Sequence, residues 1–247
     1  MKVEYKKHYS NHLQRDIEFR VYGHGGKPVL MFPTSNARFY QYEDFGLINA
    51  LSDLIEKGKI QVFTADSIDP ETLYSNGDAK ERIAKYERYL SYVVEELVPE
   101  IYAMSGKKQG IMVSGCSMGG YHAAMLFFRY PESFDSIISM SGVYTVRDFF
   151  GGYDGEDLRA ICPAEFIADI TVEDARHKHI TEGNAVLVCG SGAYEDRMLV
   201  DMELIRKPIE KNKLPVMIDI WGKDVYHDWP WWHKQMPHFL NKMFKGG

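Results

Sequence analysis

Ile111-Met-Val-Ser-Gly115-Cys116-Ser117-Met118-Gly119-Gly120-Tyr121-His122 joins a short apolar run to a glycine-rich segment that continues with helical spacing. The run reads as a buried strand, and the segment after Ser117 reads as a helix that stops at Tyr130, because Pro131 disfavours helix in the residue before it. Gly115-x-Ser117-x-Gly119 falls on the junction, and a strand before and a helix after turn this pattern into an elbow that presents a nucleophile. The glycines have a steric cause. A sharp strand-to-helix turn strains the backbone of the central serine, and side chains two residues to either side would collide. The new helix then offers the backbone N–H of Met118 to a developing negative charge. Cys116 is one position off the centre and reads as a small buried side chain.

Outward from this junction, short β-branched and apolar runs alternate with helical segments, the rhythm of a mostly parallel sheet covered by helices. Eight candidate strands result: Val3 to Tyr5, Ile17 to Tyr22, Val29 to Phe32, Gln61 to Ala65, Gly110 to Ser114, Ser136 to Met140, Ala185 to Cys189 and Val216 to Trp221. The first two, with alternating polarity, read as antiparallel. Lys80 to Met104 is the strongest helix, with Ile83, Tyr86, Leu90, Val93, Leu97 and Ile101 on one face and a kink expected at Pro99. A helix near Ile48 to Lys57 stops at Gly58, a left-handed cap. The segment 143–181 breaks the rhythm between strands six and seven and reads as an insertion or partial cap. The fold class is therefore α/β, a single domain over 1–247 with a mostly parallel eight-stranded sheet.

The composition belongs to a folded protein: 247 residues, 45% apolar and 26% charged. A net charge of -6, with Lys and Arg dispersed, leaves no footprint for a nucleic-acid backbone. Three cysteines, without Cys-x-x-Cys spacing, argue against a disulfide framework or thiolate zinc site and fit a reducing compartment. The polar N-terminus lacks a signal-peptide pattern and no window has the length of a membrane helix, so the expectation is a soluble cytoplasmic protein.

A serine hydroxyl needs an imidazole within hydrogen-bond reach, itself held by a carboxylate. Behind an elbow of this type the partners follow in the order serine, acid, histidine. Of nine histidines only His227, His233 and His238 follow the last expected strand, and His227 alone lies in the loop just beyond it. The other two fall in the next helical segment. The acid belongs to the loop after the preceding strand, where Glu195 and Asp196 are both in range. Asp is the commoner acid, which favours Asp196, although Asp196 also suits the N-cap of the helix beginning near Arg197. A second oxyanion donor is expected after the third strand, from the backbone of Thr34 or Ser35.

Other features carry less. His177-x-His179 lacks a third partner for a metal site, and none is assigned. Asp66 ends a strand on the active-site edge and equally closes a turn with Ser67. Phe39, Tyr40, Tyr42, Trp229, Trp231 and Trp232 flank the two loops and either wall a pocket or pack the loops on the sheet.

Phe32-Pro-Thr-Ser35, Gly115-Cys-Ser-Met-Gly-Gly120, Gly190-Ser-Gly-Ala-Tyr-Glu-Asp196 and His227-Asp-Trp229 together resemble the esterase-D-like branch of the α/β-hydrolase superfamily. That branch includes feruloyl and acetyl esterases, S-formylglutathione hydrolases, antigen-85 acyltransferases and enterochelin esterases. The likeness runs from about Val29 to Phe239. It implies an α/β-hydrolase fold, Ser117 as nucleophile and His227 as general base. The expectation is a serine hydrolase that cleaves small-molecule carboxylic esters without a cofactor, with Asp196 as orienting acid. The alternatives are a thioesterase of the S-formylglutathione-hydrolase type with the same residues, or an inactive binding protein on the same fold. Oligomeric state stays open.

Overall fold

The computed structural model describes residues 1–106 and 110–245. Eight strands form one sheet: β1 Val3–Ser10, β2 Arg15–Tyr22, β3 Lys27–Phe32, β4 Ile60–Ala65, β5 Ile111–Cys116, β6 Phe134–Met140, β7 Asn184–Cys189 and β8 Val216–Ile220. Their order across the sheet is β1-β2-β4-β3-β5-β6-β7-β8. The β1/β2 and β2/β4 pairs are antiparallel and the remaining pairs parallel. All eight expected strands are present. β1 is longer than its sequence suggests because its side chains alternate between solvent and half-burial, a weak apolar signal.

Successive strand residues point to opposite faces, so each central strand feeds two cores. Leu30, Phe32, Ile111 and Val113 pack with the helices on one face. Val29, Met31, Met112 and Cys116 pack on the other with Tyr42, Trp232 and Phe239. Covering on both faces explains why these strands read as nearly continuous apolar runs.

The long helix is unbroken in sequence but changes its winding. Ala79–Tyr92 and Val98–Ser105 are α-helical, and Val93–Leu97 between them is a π-helical turn. Pro99 has no N–H for the carbonyl of Glu95, and the wider turn relieves its ring. The same turn sends Glu96 outward, where Oε1 accepts the N–H groups of Asn11 and His12 at 2.8 and 3.2 Å and ties down the β1–β2 hairpin. The expected helix near 48–57 is two short pieces, Leu47–Ala50 and Ser52–Glu56, ending at Gly58 with φ +64°.

The segment 143–181 is more integrated than an excursion. Tyr144, Val146, Phe150, Leu158, Ile161 and Cys162 are buried in the main core. Its end, within Ala175–Glu182, is the crossover helix between β6 and β7. Arg82, 7% exposed, binds the rest down. Its Nε donates to the Thr72 carbonyl at 2.7 Å, and Nη2 donates to those of Leu73 at 2.7 Å and Phe149 at 2.9 Å.

Candidate active site

Parallel pairing carries the loops after β3, β4, β5, β6, β7 and β8 to one edge. Phe32 lies opposite Gly115 in the β3–β5 register, so the loop after β3 and the elbow after β5 emerge side by side. The loops after β6, β7 and β8 follow in order.

Ser117 sits between β5 and the helix Met118–Arg129 with φ +56° and ψ -121°, a region that costs about 1–3 kcal/mol for a residue with a side chain. Its surroundings hold it there. The Ser117 N–H donates to the Met140 carbonyl at 2.9 Å. Tyr42 bridges the neighbouring strand ends: its hydroxyl donates to the Phe32 carbonyl at 2.6 Å and accepts the Cys116 N–H at 3.0 Å. A Cβ on Gly115 would lie 2.2 Å from the Gly119 carbonyl carbon, and one on Gly119 would lie 2.1 Å from the Phe32 oxygen. From residue 111 to residue 128, Ser117 alone is not buried. Cys116 faces the second core, where burial pushes its thiol pKa up.

His227 follows β8, as its place in the sequence suggests. Its N–H donates to the Ala193 carbonyl at 3.1 Å, and Gly192 N–H reaches the Val225 carbonyl at 2.8 Å, so the acid and histidine loops are laced together. Close approach requires the glycines here: a Cβ on Gly190 would lie 2.0 Å from the Val225 oxygen. The ring Nδ1 of His227 lies 3.3 Å from Oε2 of Glu195.

Glu195, not Asp196, therefore faces the imidazole. Tyr194, at φ +66° and 83% exposed, reverses the chain so that the next side chain turns inward. Glu195 is wholly buried. Asp196 opens the helix Asp196–Lys211 on its exposed side, where a carboxylate suits the helix dipole but cannot reach the ring. The Oε1 of Glu195 accepts the Ser141 hydroxyl at 2.6 Å and the Gly190 N–H at 3.3 Å. Sequence reasoning missed Ser141. No local signal marks it, because its partner lies 54 residues further along the chain.

Thr34, Ser35, Ser117, His227, Asp228, Trp229 and Trp232 line one pocket of about 260 Å³. The Met118 N–H, at the first helical position, and the Ser35 N–H have no acceptor among the described residues. The Thr34 N–H is committed to Gln41 Oε1 at 2.9 Å, which leaves Ser35 as the free amide of the two expected. Of the flanking aromatics, Trp229 and Trp232 line the pocket. Tyr42 is the strap beneath the elbow, Phe39 lies under Arg20 and Arg38, and Trp231 lies under Lys234. Asp66 does not close a turn with Ser67 but fastens the loop after β3: it accepts Arg38 Nε at 2.8 Å and the Phe39 N–H at 2.9 Å, while burial raises its pKa against both. His177 bonds through Nε2 to the Asn212 carbonyl at 2.9 Å, and His179, two residues along the same helix, faces elsewhere. A cavity of about 280 Å³ lined by Asn184, Met217 and Phe239 lies at the opposite ends of β7 and β8 and contains none of these groups.

A strained serine on a strand–helix elbow, with a histidine and a buried acid on the same edge of an eight-stranded mixed sheet, places the chain in the α/β-hydrolase class. The chain belongs to the family described as "Putative esterase", whose profile matches residues 10–243, and is an enzyme of carboxylesterase type. No curated protein matches it. Among solved structures it is similar to an S-formylglutathione hydrolase from Agrobacterium tumefaciens at 16% identity, covering 98% of this chain and 93% of that one with a TM-score of 0.73. It is also similar to FphF, a fluorophosphonate-binding serine hydrolase of Staphylococcus aureus, at 15% identity, 98% coverage of both chains and a TM-score of 0.70. A ferulic acid esterase from Anaeromyces mucronatus is similar at 12% identity, 97% and 89% coverage and a TM-score of 0.68. At these identities the likeness is one of fold. Among the described residues, no helix is long and apolar enough to cross a membrane.

Proposed function

We propose that this chain hydrolyses small-molecule carboxylic esters through an acyl-enzyme on Ser117. The observation that carries the reading is the buried Glu195 carboxylate facing Nδ1 of His227, whose ring shares a pocket with Ser117. Glu195 accepts the Nδ1 hydrogen, which leaves Nε2 free as the base. The Ser117 oxygen attacks the acyl carbonyl as its proton passes to Nε2, and the oxyanion is met by the Met118 and Ser35 amides. Collapse expels the alcohol, which takes the proton from His227. Water then repeats the sequence on the acyl-enzyme and releases the acid.

Ser117→Ala should abolish turnover of p-nitrophenyl acetate with the thermal midpoint unchanged. Full activity in that variant overturns the reading. The thioesterase alternative uses the same groups, and matched acyl-thiol and acyl-alcohol substrates separate the two by kcat/KM. Failure of a fluorophosphonate probe to label folded protein at Ser117 would favour the inactive binding protein. Three free, buried cysteines support a reducing, intracellular setting.

A further inference from the structure

A second histidine–carboxylate pair is sealed beneath the elbow. His122 is 1% exposed and Asp69 wholly buried. His122 Nε2 lies 2.8 Å from Oδ1 of Asp69, and Nδ1 lies 3.0 Å from the Tyr86 hydroxyl. A carboxylate only accepts, so Nε2 carries the hydrogen and Tyr86 donates to Nδ1. The other oxygen of Asp69 leaves the core: Oδ2 accepts the backbone N–H of Asn36 at 3.2 Å.

Asn36 has φ +57° and occupies the third position of a turn closed by the Ala37 N–H on the Thr34 carbonyl at 3.1 Å. The central peptide of a four-residue turn has two flips, and a left-handed third residue belongs to one of them. In a trans peptide the C=O and N–H point in opposite directions. With the Thr34 carbonyl turned into the turn, the Ser35 N–H is directed out of it, and Ser35 lines the pocket with Ser117. A buried carboxylate is costly unless fully hydrogen-bonded, and core packing alone does not call for one. Here its two oxygens divide between the elbow helix and the turn after β3, and so hold those two in register.

We propose that Asp69 and His122 are positioning residues, which lock the Asn36 amide and thereby fix the turn that aims the Ser35 N–H at the oxyanion formed on Ser117. This rests on the reading of Ser117 as nucleophile. Neither residue touches substrate: His122 orients the carboxylate, and the carboxylate anchors the Ser35–Asn36 peptide, which holds in place the turn whose first peptide carries the Ser35 N–H.

The test compares Asp69→Ala, Asp69→Asn and Asn36→Ala with the parent enzyme. It measures kcat and KM for p-nitrophenyl acetate, the rate and extent of fluorophosphonate labelling, and the thermal midpoint. With rates corrected for the labelled fraction, Asp69→Ala should lower kcat about 10- to 100-fold with KM within about 3-fold. Asp69→Asn should recover kcat to within about 5-fold, because an amide accepts the Asn36 N–H and donates to the other tautomer of His122. Asn36→Ala, at an exposed position where φ > 0 is disfavoured, should lower kcat with KM little changed, and it decides the matter if Asp69→Ala does not fold. Parental kcat in Asp69→Ala or Asn36→Ala, no rescue by Asn, or a change confined to KM overturns the proposal. A parent enzyme that neither turns over ester nor labels at Ser117 fails at the earlier step and takes this inference with it.

Discussion

Ser141 donates its hydroxyl to Oε1 of Glu195 at 2.6 Å, on the side of the carboxylate away from His227. The Ser141 oxygen in turn accepts the indole N–H of Trp232 at 3.2 Å. A chain of indole, hydroxyl, carboxylate and imidazole thus runs from the last helix to the histidine loop, and both Glu195 oxygens are engaged. Ser141 has φ +48°, so the backbone at the end of β6 is strained to put its hydroxyl there.

Glu195→Gln keeps the shape of the side chain but removes the charge that holds the imidazole. By comparison with loss of the orienting acid in serine hydrolases, kcat for p-nitrophenyl acetate should fall about 10³- to 10⁴-fold. Asp196→Asn, at an exposed helix start, should stay within about 2-fold of the parent. Equal losses in the two variants would contradict the geometry.

Ser141→Ala takes one donor from a buried carboxylate and leaves it the weaker Gly190 amide. Urea unfolding should show a loss of about 1–3 kcal/mol, the usual cost of stranding a buried acceptor. A midpoint equal to that of the parent would show that Ser141 matters little to Glu195.

Glycine substitutions should divide by contact. Gly119→Ala sets a methyl 2.1 Å from a main-chain oxygen that cannot retreat, and should cost at least about 2 kcal/mol or prevent folding. Gly25→Ala meets nothing within 4 Å and should change stability by under about 0.5 kcal/mol.

Alkaline stability should reflect the thiols. Burial pushes Cys162 up to about 11 and Cys189 up to about 12, and raises Cys116 as well. The unfolded chain ionises near pH ~8.5 while the folded one keeps its protons, so it is the native state that binds more of them and stability falls as pH rises above ~9. The slope is at most about 1.4 kcal/mol per pH unit for each thiol. Urea midpoints between pH 8 and 11 check this, and replacing Cys162 and Cys189 with Ala should flatten the decline.

Strand positions and the elbow were legible because both rest on local rules. Apolar runs between turn residues mark doubly covered strands, and Gly115, Ser117 and Gly119 answer a steric need that any sequence must meet. The placement of His227 in the same pocket as Ser117 was legible by elimination, His227 being the one histidine in the loop after β8. Which carboxylate faces the imidazole was not, because 195 and 196 differ by one step of helix phase. That step is set by the left-handed turn at Tyr194, a residue type that does not announce such a conformation. Ser141 and the Asp69–His122 pair escaped notice for another reason: each joins elements far apart in the chain, and nothing in the residues flanking them encodes the partner. The π-helical turn was half visible, since Pro99 marks a defect in the helix but not the wider winding before it.

Arg82 has a consequence for how the stretch around 149–150 comes apart. A guanidinium riveted to the Thr72, Leu73 and Phe149 carbonyls, and lying 4.4 Å over the Phe150 ring, couples that stretch to residues 72–73. Local opening at either place must break bonds at both, so the two should exchange amide hydrogens as one unit.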